Sequence, residues 1–317
     1  MDQPTEIAIW GPTQSGKDWL YKGFAKELEH YDQNSEDFNF VLQERRVGSD
    51  QFKLSIATPP DDIRPTSYEE DYIVRFARKP KPGKNRDEIL LSSHYHDINF
   101  HNNRGANLIA SVLEYSDNFE PTRLSIERSR YLLIVLDPNF DKTSPEGQTY
   151  FQDNNSDMQD EFPDIALHPG LSKENYYQML LKLLEILSNA NVPDRHLAIC
   201  ITKTDTLKIT SYNTWSLLER AFGQKIFKLF NTYRNIFKIE VFATSAAGYI
   251  RKKGESVPNF AKGKLIDTEN WRPINCAAPF FWIYQNKEIE RIKLTSNFLN
   301  KEYNLRKYIK YPLQRPT

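Results

Sequence analysis

The fold is decided by the stretch EIAIWGPTQSGKDWL at residues 6–20. It opens with a short apolar run, turns through two glycines and continues at helical spacing to about residue 31. A strand that leads through a glycine-containing loop into a helix is the context that a phosphate-binding loop requires. Because the chain has only 12 glycines among 317 residues, their pairing at this point is informative.

The loop at residues 11–17 fits the pattern Gly-x-x-x-x-Gly-Lys. In such a loop, backbone N–H groups surround phosphate oxygens, the following helix directs its positive end at the anion, and the lysine adds a full charge. The eighth position normally carries a Ser or Thr hydroxyl for Mg²⁺, and here it is Asp18. A carboxylate is a good ligand for a hard cation, but it repels phosphate when no metal is present. We therefore expect nucleotide contacts from Gly11, Thr13, Gln14, Ser15, Gly16, Lys17 and Asp18, with Asp18 also on the metal.

A second motif, TKTD at residues 202–205, follows the apolar run at 196–201. An aspartate at the position of Asp205 accepts hydrogen bonds from the N1–H and the exocyclic amine of guanine. Adenine offers neither group in that geometry, so discrimination between the purines is large. The stem of Lys203 packs over the base plane, and Thr202 completes the predicted set.

A third motif is the Ser-Ala pair Ser245 and Ala246, which follows the predicted strand at 237–242. A backbone N–H from such a pair supports the same base. All three motifs come directly after a predicted strand, and the carboxyl ends of strands are where open α/β sheets bind ligands. The sequence thus predicts phosphate recognition and base recognition at one edge of one sheet.

The rest of the chain predicts an α/β fold with a mostly parallel sheet. Continuous apolar runs at 131–136 and 196–201 are typical of central parallel strands buried on both faces, and helices alternate with strands through the second half. Two alternating runs near the N-terminus predict a β-hairpin. The other predicted segments are strands at 71–77 and 88–92, helices at 105–115, 173–189, 215–230 and 279–292, and a loop at 250–274. We expect one domain at 1–292 with a surface insertion at about 139–170, followed by a basic tail at 293–317.

On these three motifs the chain resembles the translation-factor-related branch of P-loop GTPases, whose Ras-like core has this order of elements. The segments WRPIN at 271–275 and APFFWI at 278–283 add a likeness to the bacterial double-GTPase and related GTPase-like domains found beside effector modules in conflict systems. The resemblance covers roughly residues 5–292. It implies a three-layer, Ras-like P-loop NTPase fold, GTP or GDP with Mg²⁺ as ligands, and a protein effector or regulator as partner.

The same resemblance requires an Asp-x-x-Gly at the end of the strand before the second helix. Asp97 is the acid in that region, so it is assigned to Mg²⁺ and, with Lys17, to catalysis, although no glycine follows at the required spacing. Without that glycine or an evident catalytic Gln, turnover should be slow or need a partner. The histidines nearby are expected in an exposed loop, with metal binding or water orientation as weaker alternatives. These histidines are His94, His96 and His101. Thr58 and Thr66 are the candidates for the switch-one threonine. Asp137 is interpreted as a structural or helix-capping residue.

The composition of the chain argues against several classes of protein. Forty-two basic residues balance 42 acidic ones, which gives no bulk electrostatic reason to expect a nucleic-acid partner. No apolar run approaches the roughly 18 residues of a membrane span, and two cysteines cannot form a disulfide framework, so a cytoplasmic protein is expected. A degenerate GTPase-like scaffold stays open because of Asp18 and the missing glycine, as does a P-loop kinase in which the TKTD match is a coincidence.

Overall fold

The computed structural model describes residues 5–12, 15–34, 38–46, 53–54, 70–80, 95–102, 120–140, 173–207, 213–261 and 264–288. The strands are β1 (Thr5–Trp10), β2 (Phe38–Arg46), β3 (Lys53–Leu54), β4 (Glu70–Pro80), β5 (Tyr95–Asn102), β6 (Tyr131–Leu136), β7 (His196–Ile201), β8 (Lys238–Ala243), β9 (Tyr249–Lys252), β10 (Glu255–Pro258), β11 (Phe260–Ala261) and β12 (Lys264–Leu265). Within the same ranges the helices are α1 (Lys17–Asn34), α2 (Glu120–Arg128), α3 (Lys173–Asn189), α4 (Thr214–Phe222), α5 (Gln224–Tyr233) and α6 (Ala278–Glu288), and a 3-10 turn lies at Thr204–Thr206.

One eight-stranded sheet organises the fold, in the order β3-β2-β4-β5-β1-β6-β7-β8. The ladders that join β5, β1, β6, β7 and β8 are parallel, whereas β2, β3 and β4 pair antiparallel at the other side. The carboxyl ends of the five parallel strands therefore lie along one edge. This arrangement confirms the predicted α/β class, the mostly parallel sheet and the N-terminal hairpin.

Two apolar cores, one on each face of the sheet, make three layers. The first core joins the sheet to α2, α3, α4 and α5, and the second joins it to α1 and α6. Alternation along β1 divides its side chains between the faces, since Trp10 belongs to the first core and Ile9 to the second. Every residue of β6 and β7 is buried, as expected for strands covered on both sides.

A buried arginine fixes two of the covering helices. The guanidinium of Arg195 donates to the carbonyl oxygens of Glu127, Ser129 and Leu187, at 2.5, 3.1 and 2.5 Å. These carbonyls lie at the carboxyl ends of α2 and α3, where the last turn of a helix leaves acceptors unpaired and favours positive charge.

Several predicted segments are wrong in detail. The helix predicted at 215–230 is two helices, because Gly223 at φ 88° separates α4 from α5. The loop predicted at 250–274 contains two short antiparallel hairpins, β9–β10 and β11–β12. The residues of β5 were predicted as a loop, yet they form a strand between β4 and β1.

Other predictions fall outside the described residues. These are the strand at 88–92, the helix at 105–115, Thr58, Thr66, His94, the tail at 293–317 and nearly all of the insertion at 139–170. Among the helices in the described ranges, none is both long enough and apolar enough to cross a bilayer.

Candidate nucleotide site

The predicted motifs meet at the carboxyl edge of the parallel strands. The phosphate loop follows β1, the TKTD segment follows β7, and the Ser-Ala pair follows β8. In the sheet these strands lie in the order β1-β6-β7-β8. Thr202 joins the first two, because its Oγ1 donates to the carbonyl oxygen of Ser15 at 2.7 Å. A residue that follows β7 thereby contacts the loop at residues 11–17, although Thr202 and Ser15 are 187 positions apart in the sequence.

Two glycines give the phosphate loop its shape. Gly16 has φ +91°, in the left-handed region that disfavours other residues. At Gly11, an added Cβ atom would lie 2.6 Å from both Ser15 Oγ and the carbonyl oxygen of Val135 on β6. Thr13 and Gln14 lie outside the described residues.

The side chain of Lys17 is buried against the loop at residues 11–17. Its Nζ donates to the carbonyl oxygens of Gly11 at 2.7 Å and Pro12 at 3.1 Å. Burial lowers the pKa of the Lys17 ammonium to about 8, and the neighbouring charge of Asp18 opposes this shift. A phosphate in the loop would restore the ordinary affinity of Lys17 for its proton, since it would place negative charge beside the ammonium.

The hydroxyl of Ser15 is a second indication that the loop fits an anion. Ser15 is 1% exposed, and its Oγ finds no hydrogen-bond partner within the described part of the chain. Buried hydroxyls are nearly always hydrogen-bonded. A phosphate oxygen in the loop is a suitable acceptor for this group, so the residues present fit a phosphate ligand.

The carboxylate of Asp205 is buried and oriented. Asp205 is 6% exposed, and its Oδ1 accepts a hydrogen bond from Ser245 Oγ at 2.5 Å. Burial raises the pKa of Asp205 to about 6, although the Ser245 bond and the charge of Lys203 lower it. The hydroxyl oxygen of Ser245 also accepts from the backbone N–H of Gly248 at 2.8 Å, which fixes its direction.

Lys203 has a partner that sequence reasoning missed. Its Nζ lies 2.6 Å from Asp137 Oδ2, and its backbone has φ 51° in the left-handed region. The other carboxylate oxygen of Asp137 accepts from the backbone N–H of Asn139 at 2.8 Å, which agrees with the structural rather than the helix-capping role expected for it. Asp137 thus caps a turn and also directs Lys203. Its position at the end of β6, beside β7, is the signal that could have suggested this contact.

The Ser-Ala loop is fastened from behind by the segment at 271–275. Ser245 and Ile274 exchange two backbone hydrogen bonds at 2.9 and 2.7 Å. The indole N–H of Trp271 donates to the carbonyl oxygen of Ala246 at 2.6 Å. These contacts fix the backbone of Ser245 and Ala246 against residues 271–274.

Asp97 does not lie at this edge, so its assignment to the metal needs correction. The register of β5 on β1 pairs Ile98 with Thr5 and Asn102 with Ile9. Asp97 is therefore at the amino end of the parallel strands, about 16 Å along β5 from the edge that carries the phosphate loop. His96 and His101 belong to this strand as well, rather than to an exposed loop.

Asn102 ends β5 beside β1, where an acid was expected. Gly105 follows three positions later, so the spacing is that of Asp-x-x-Gly with Asn in the first position. Sequence reasoning missed this alignment because it ended the strand too early. Of the two metal candidates, Asp18 at the start of α1 is the one next to the phosphate loop, and no cluster of three or more His, Cys, Asp or Glu ligands occurs within the described residues.

No protein-family model matches this chain, and no curated protein matches it. Among solved structures, it is similar to the signal recognition particle receptor SRb-GTP/SRX complex from Chaetomium thermophilum, with 13% identity over 80% of this chain and 95% of that one, at a TM-score of 0.43. It is also similar to the GTP-bound Ski7 GTPase-like domain from S. cerevisiae, with 11% identity over 92% of this chain and 51% of that one, at a TM-score of 0.32. Neither similarity is high enough to decide the function, which has to be inferred from the residues of the site.

Proposed function

We propose that this chain binds a guanine nucleotide together with Mg²⁺ and acts as a regulatory switch or a slow GTPase. One observation carries the proposal: the phosphate loop and the base-reading segment share one sheet edge and are joined by the bond from Thr202 to Ser15. An isolated glycine-containing turn or an isolated TKTD match would have no reason to be connected in this way. The connection supports a single ligand with a phosphate end and a base end.

The phosphate end of the ligand occupies the loop at residues 11–17. Backbone N–H groups of the loop surround the phosphate oxygens. Lys17 exchanges its bonds to loop carbonyls for bonds to the phosphates, and Ser15 donates its hydroxyl proton to a phosphate oxygen. The amino end of α1 contributes its partial positive charge.

The base end contacts the TKTD segment and the Ser-Ala pair. Asp205 accepts from the N1–H and amine of guanine, and the backbone N–H of Ala246 donates to the carbonyl oxygen of the base. The stem of Lys203 covers the base plane while Asp137 holds its ammonium. Ser245 and Thr202 keep these groups in position through the bonds described above.

Asp18 is the residue that would hold Mg²⁺, and Asp97 is left out of the metal site because of its place in β5. When bound, the metal neutralises charge on the phosphate oxygens. Hydrolysis would be an in-line attack of water on the γ-phosphate, with Lys17 stabilising the transferring group. Asn102 carries no charge at the end of β5, so we expect slow turnover in the absence of a protein partner.

A catalytically degenerate scaffold that works through protein contacts is the second candidate. The neutral Asn102 and the acidic Asp18 favour it, because both depart from the residue types that a GTPase of this kind requires. Single-turnover hydrolysis distinguishes the two: a saturated complex that forms no GDP would support the scaffold and exclude the enzyme.

The binding proposal itself is tested by a fluorescence titration with GTP and ATP analogues, each with and without Mg²⁺. We expect a clear preference for guanine and tighter binding with the metal. Equal affinities for the two purines would exclude the assignment of Asp205, whatever the outcome of the hydrolysis assay.

A further inference from the structure

A buried glutamate in α1, Glu27, contacts the backbone at the amino end of α6. Glu27 is 7% exposed, and its Oε2 accepts from the backbone N–H of Ala277 at 2.6 Å. The N–H groups of Cys276 and Asn275 donate to the same carboxylate. A buried acid is costly unless donors surround it, and here three successive N–H groups at the amino end of α6 do so. The side chain is therefore a clamp between α1 and α6.

The same face of α1 approaches the base-reading loop very closely. Gly23 lies one turn before Glu27, and a Cβ atom added there would be 2.7 Å from Cys276 Sγ and 3.3 Å from the Cβ of Ala246. Both values are shorter than an ordinary contact, so a side chain at this position would displace Cys276 or Ala246. The helix that begins at the phosphate loop thus reaches the loop that would contact the base.

The segment that Glu27 binds, residues 275–277, is connected to the residues proposed to contact the base. Ile274 precedes it by one residue and pairs with Ser245 through two backbone hydrogen bonds. Ser245 in turn donates to Asp205, and Trp271 holds the carbonyl of Ala246. Because each of these bonds has a fixed direction, a shift of the segment would move Ala246 relative to Asp205.

We propose that Glu27 is a positioning residue for purine selectivity: through residues 274–277 it holds the N–H of Ala246 at the place where the guanine carbonyl oxygen would lie. This inference rests on the proposed function and adds a residue that none of the motifs contains. Guanine has an acceptor facing that N–H, whereas adenine has an amine there. Displacement of Ala246 therefore weakens guanine binding and leaves adenine and phosphate binding unchanged.

The test uses Glu27→Gln and measures the affinities for GDP, ADP and inorganic pyrophosphate, all with Mg²⁺. Glutamine keeps the size of the side chain, but its NH₂ group cannot accept a hydrogen bond, so the three donors lose an acceptor site. We expect the ratio of GDP affinity to ADP affinity to fall about three- to tenfold, the effect of one hydrogen bond, while pyrophosphate affinity is unchanged. Glu185→Gln on α3, a half-exposed glutamate near Lys182, is the matched control and should leave all three affinities unchanged.

Gly23→Ala tests the same inference without removing the carboxylate. Alanine is the better helix former, so the helix itself is not weakened, but the added methyl group pushes Cys276 and Ala246 away. This variant should also lower the ratio of GDP affinity to ADP affinity. It provides the test of the inference if Glu27→Gln does not fold.

Two outcomes would overturn the inference. If the wild type binds GDP and ADP equally, the proposed function fails and this inference fails with it. If the wild type prefers GDP and both folded variants keep the ratio, or lower all three affinities equally, Glu27 has only a structural role and the proposed function stands without it.

Discussion

The affinity for a guanine nucleotide should be highest between about pH 6 and pH 8, and it should fall on each side for a different reason. On the alkaline side the group responsible is Lys17, whose pKa burial lowers to about 8 in the free protein. Bound phosphate stabilises the ammonium, so binding above this pH requires the uptake of a proton. At pH 9 roughly one molecule in ten retains the ammonium, and the affinity should be about tenfold lower than at pH 7.

On the acidic side the group responsible is Asp205, whose pKa burial raises to about 6. Guanine donates two hydrogen bonds to the ionised carboxylate, so protonation of Asp205 competes with binding. At pH 5 roughly one molecule in ten is ionised, and the affinity for GDP should again be about tenfold below its value at neutral pH.

Isothermal titration with GDP between pH 5 and pH 9.5 measures both limbs, and buffers of different ionisation enthalpy report the proton uptake above pH 8. Lys17→Met should bind GDP more weakly than the wild type, but its affinity should show no fall on the alkaline side. Asp205→Asn should show no fall in affinity on the acidic side. Each variant meets the same nucleotide as the wild type, so the titration of the nucleotide itself cancels in the comparison. Survival of a limb in its variant would refute the assignment of that limb.

Three further substitutions separate the parts of the site. Gly16→Ala should lower the free energy of unfolding by roughly 1–3 kcal/mol because of its positive φ, and it should also abolish nucleotide binding. Gly223→Ala is the control, since Gly223 has a similar φ and open space around it. It should lower the thermal midpoint and leave GDP affinity intact. Thr202→Val should weaken pyrophosphate and GDP binding alike by about 1–2 kcal/mol, because the carbonyl of Ser15 loses its donor, and calorimetry with Thr202→Ser should show near-normal binding. Asp18→Ala should improve GDP affinity in EDTA and reduce the gain from added Mg²⁺; an unchanged gain would remove Asp18 from the metal site.

The best sequence predictions concern strands covered on both faces. The runs at 131–136 and 196–201 coincide with β6 and β7 at both ends. A continuous run of residues suited to burial on both faces leaves little freedom in where such a strand lies. The phosphate loop was predictable for a related reason: its glycines are needed at fixed positions between a strand and a helix.

The strand β5 could not be predicted with the same rules. Its sequence, YHDINFHN, is mostly polar and contains two histidines. What makes it a strand is pairing on both sides, with β4 antiparallel and β1 parallel, and such tertiary contacts override local preference. The error had a functional consequence, because ending the strand early placed Asp97 where Asn102 belongs.

The connections within the site were also beyond reach. Lys203 and Asp137 are 66 positions apart, and Glu27 and Ala277 are 250 apart. Motifs predict which residues would face a ligand, since those residues follow strands in a fixed order. The contacts that hold them in place depend on how distant elements pack, and a single sequence contains no periodic signal for that.

The most direct test of the proposed function is a titration of GDP, ADP and xanthosine diphosphate into the wild type and into Asp205→Asn at pH 7. The wild type should prefer GDP to ADP by about a hundredfold or more, because adenine leaves the buried carboxylate unpaired. Asp205→Asn should prefer xanthosine diphosphate, whose second carbonyl oxygen accepts from the new amide. Equal binding of GDP and ADP by the wild type, or an unchanged base preference in the variant, would contradict guanine recognition at this site.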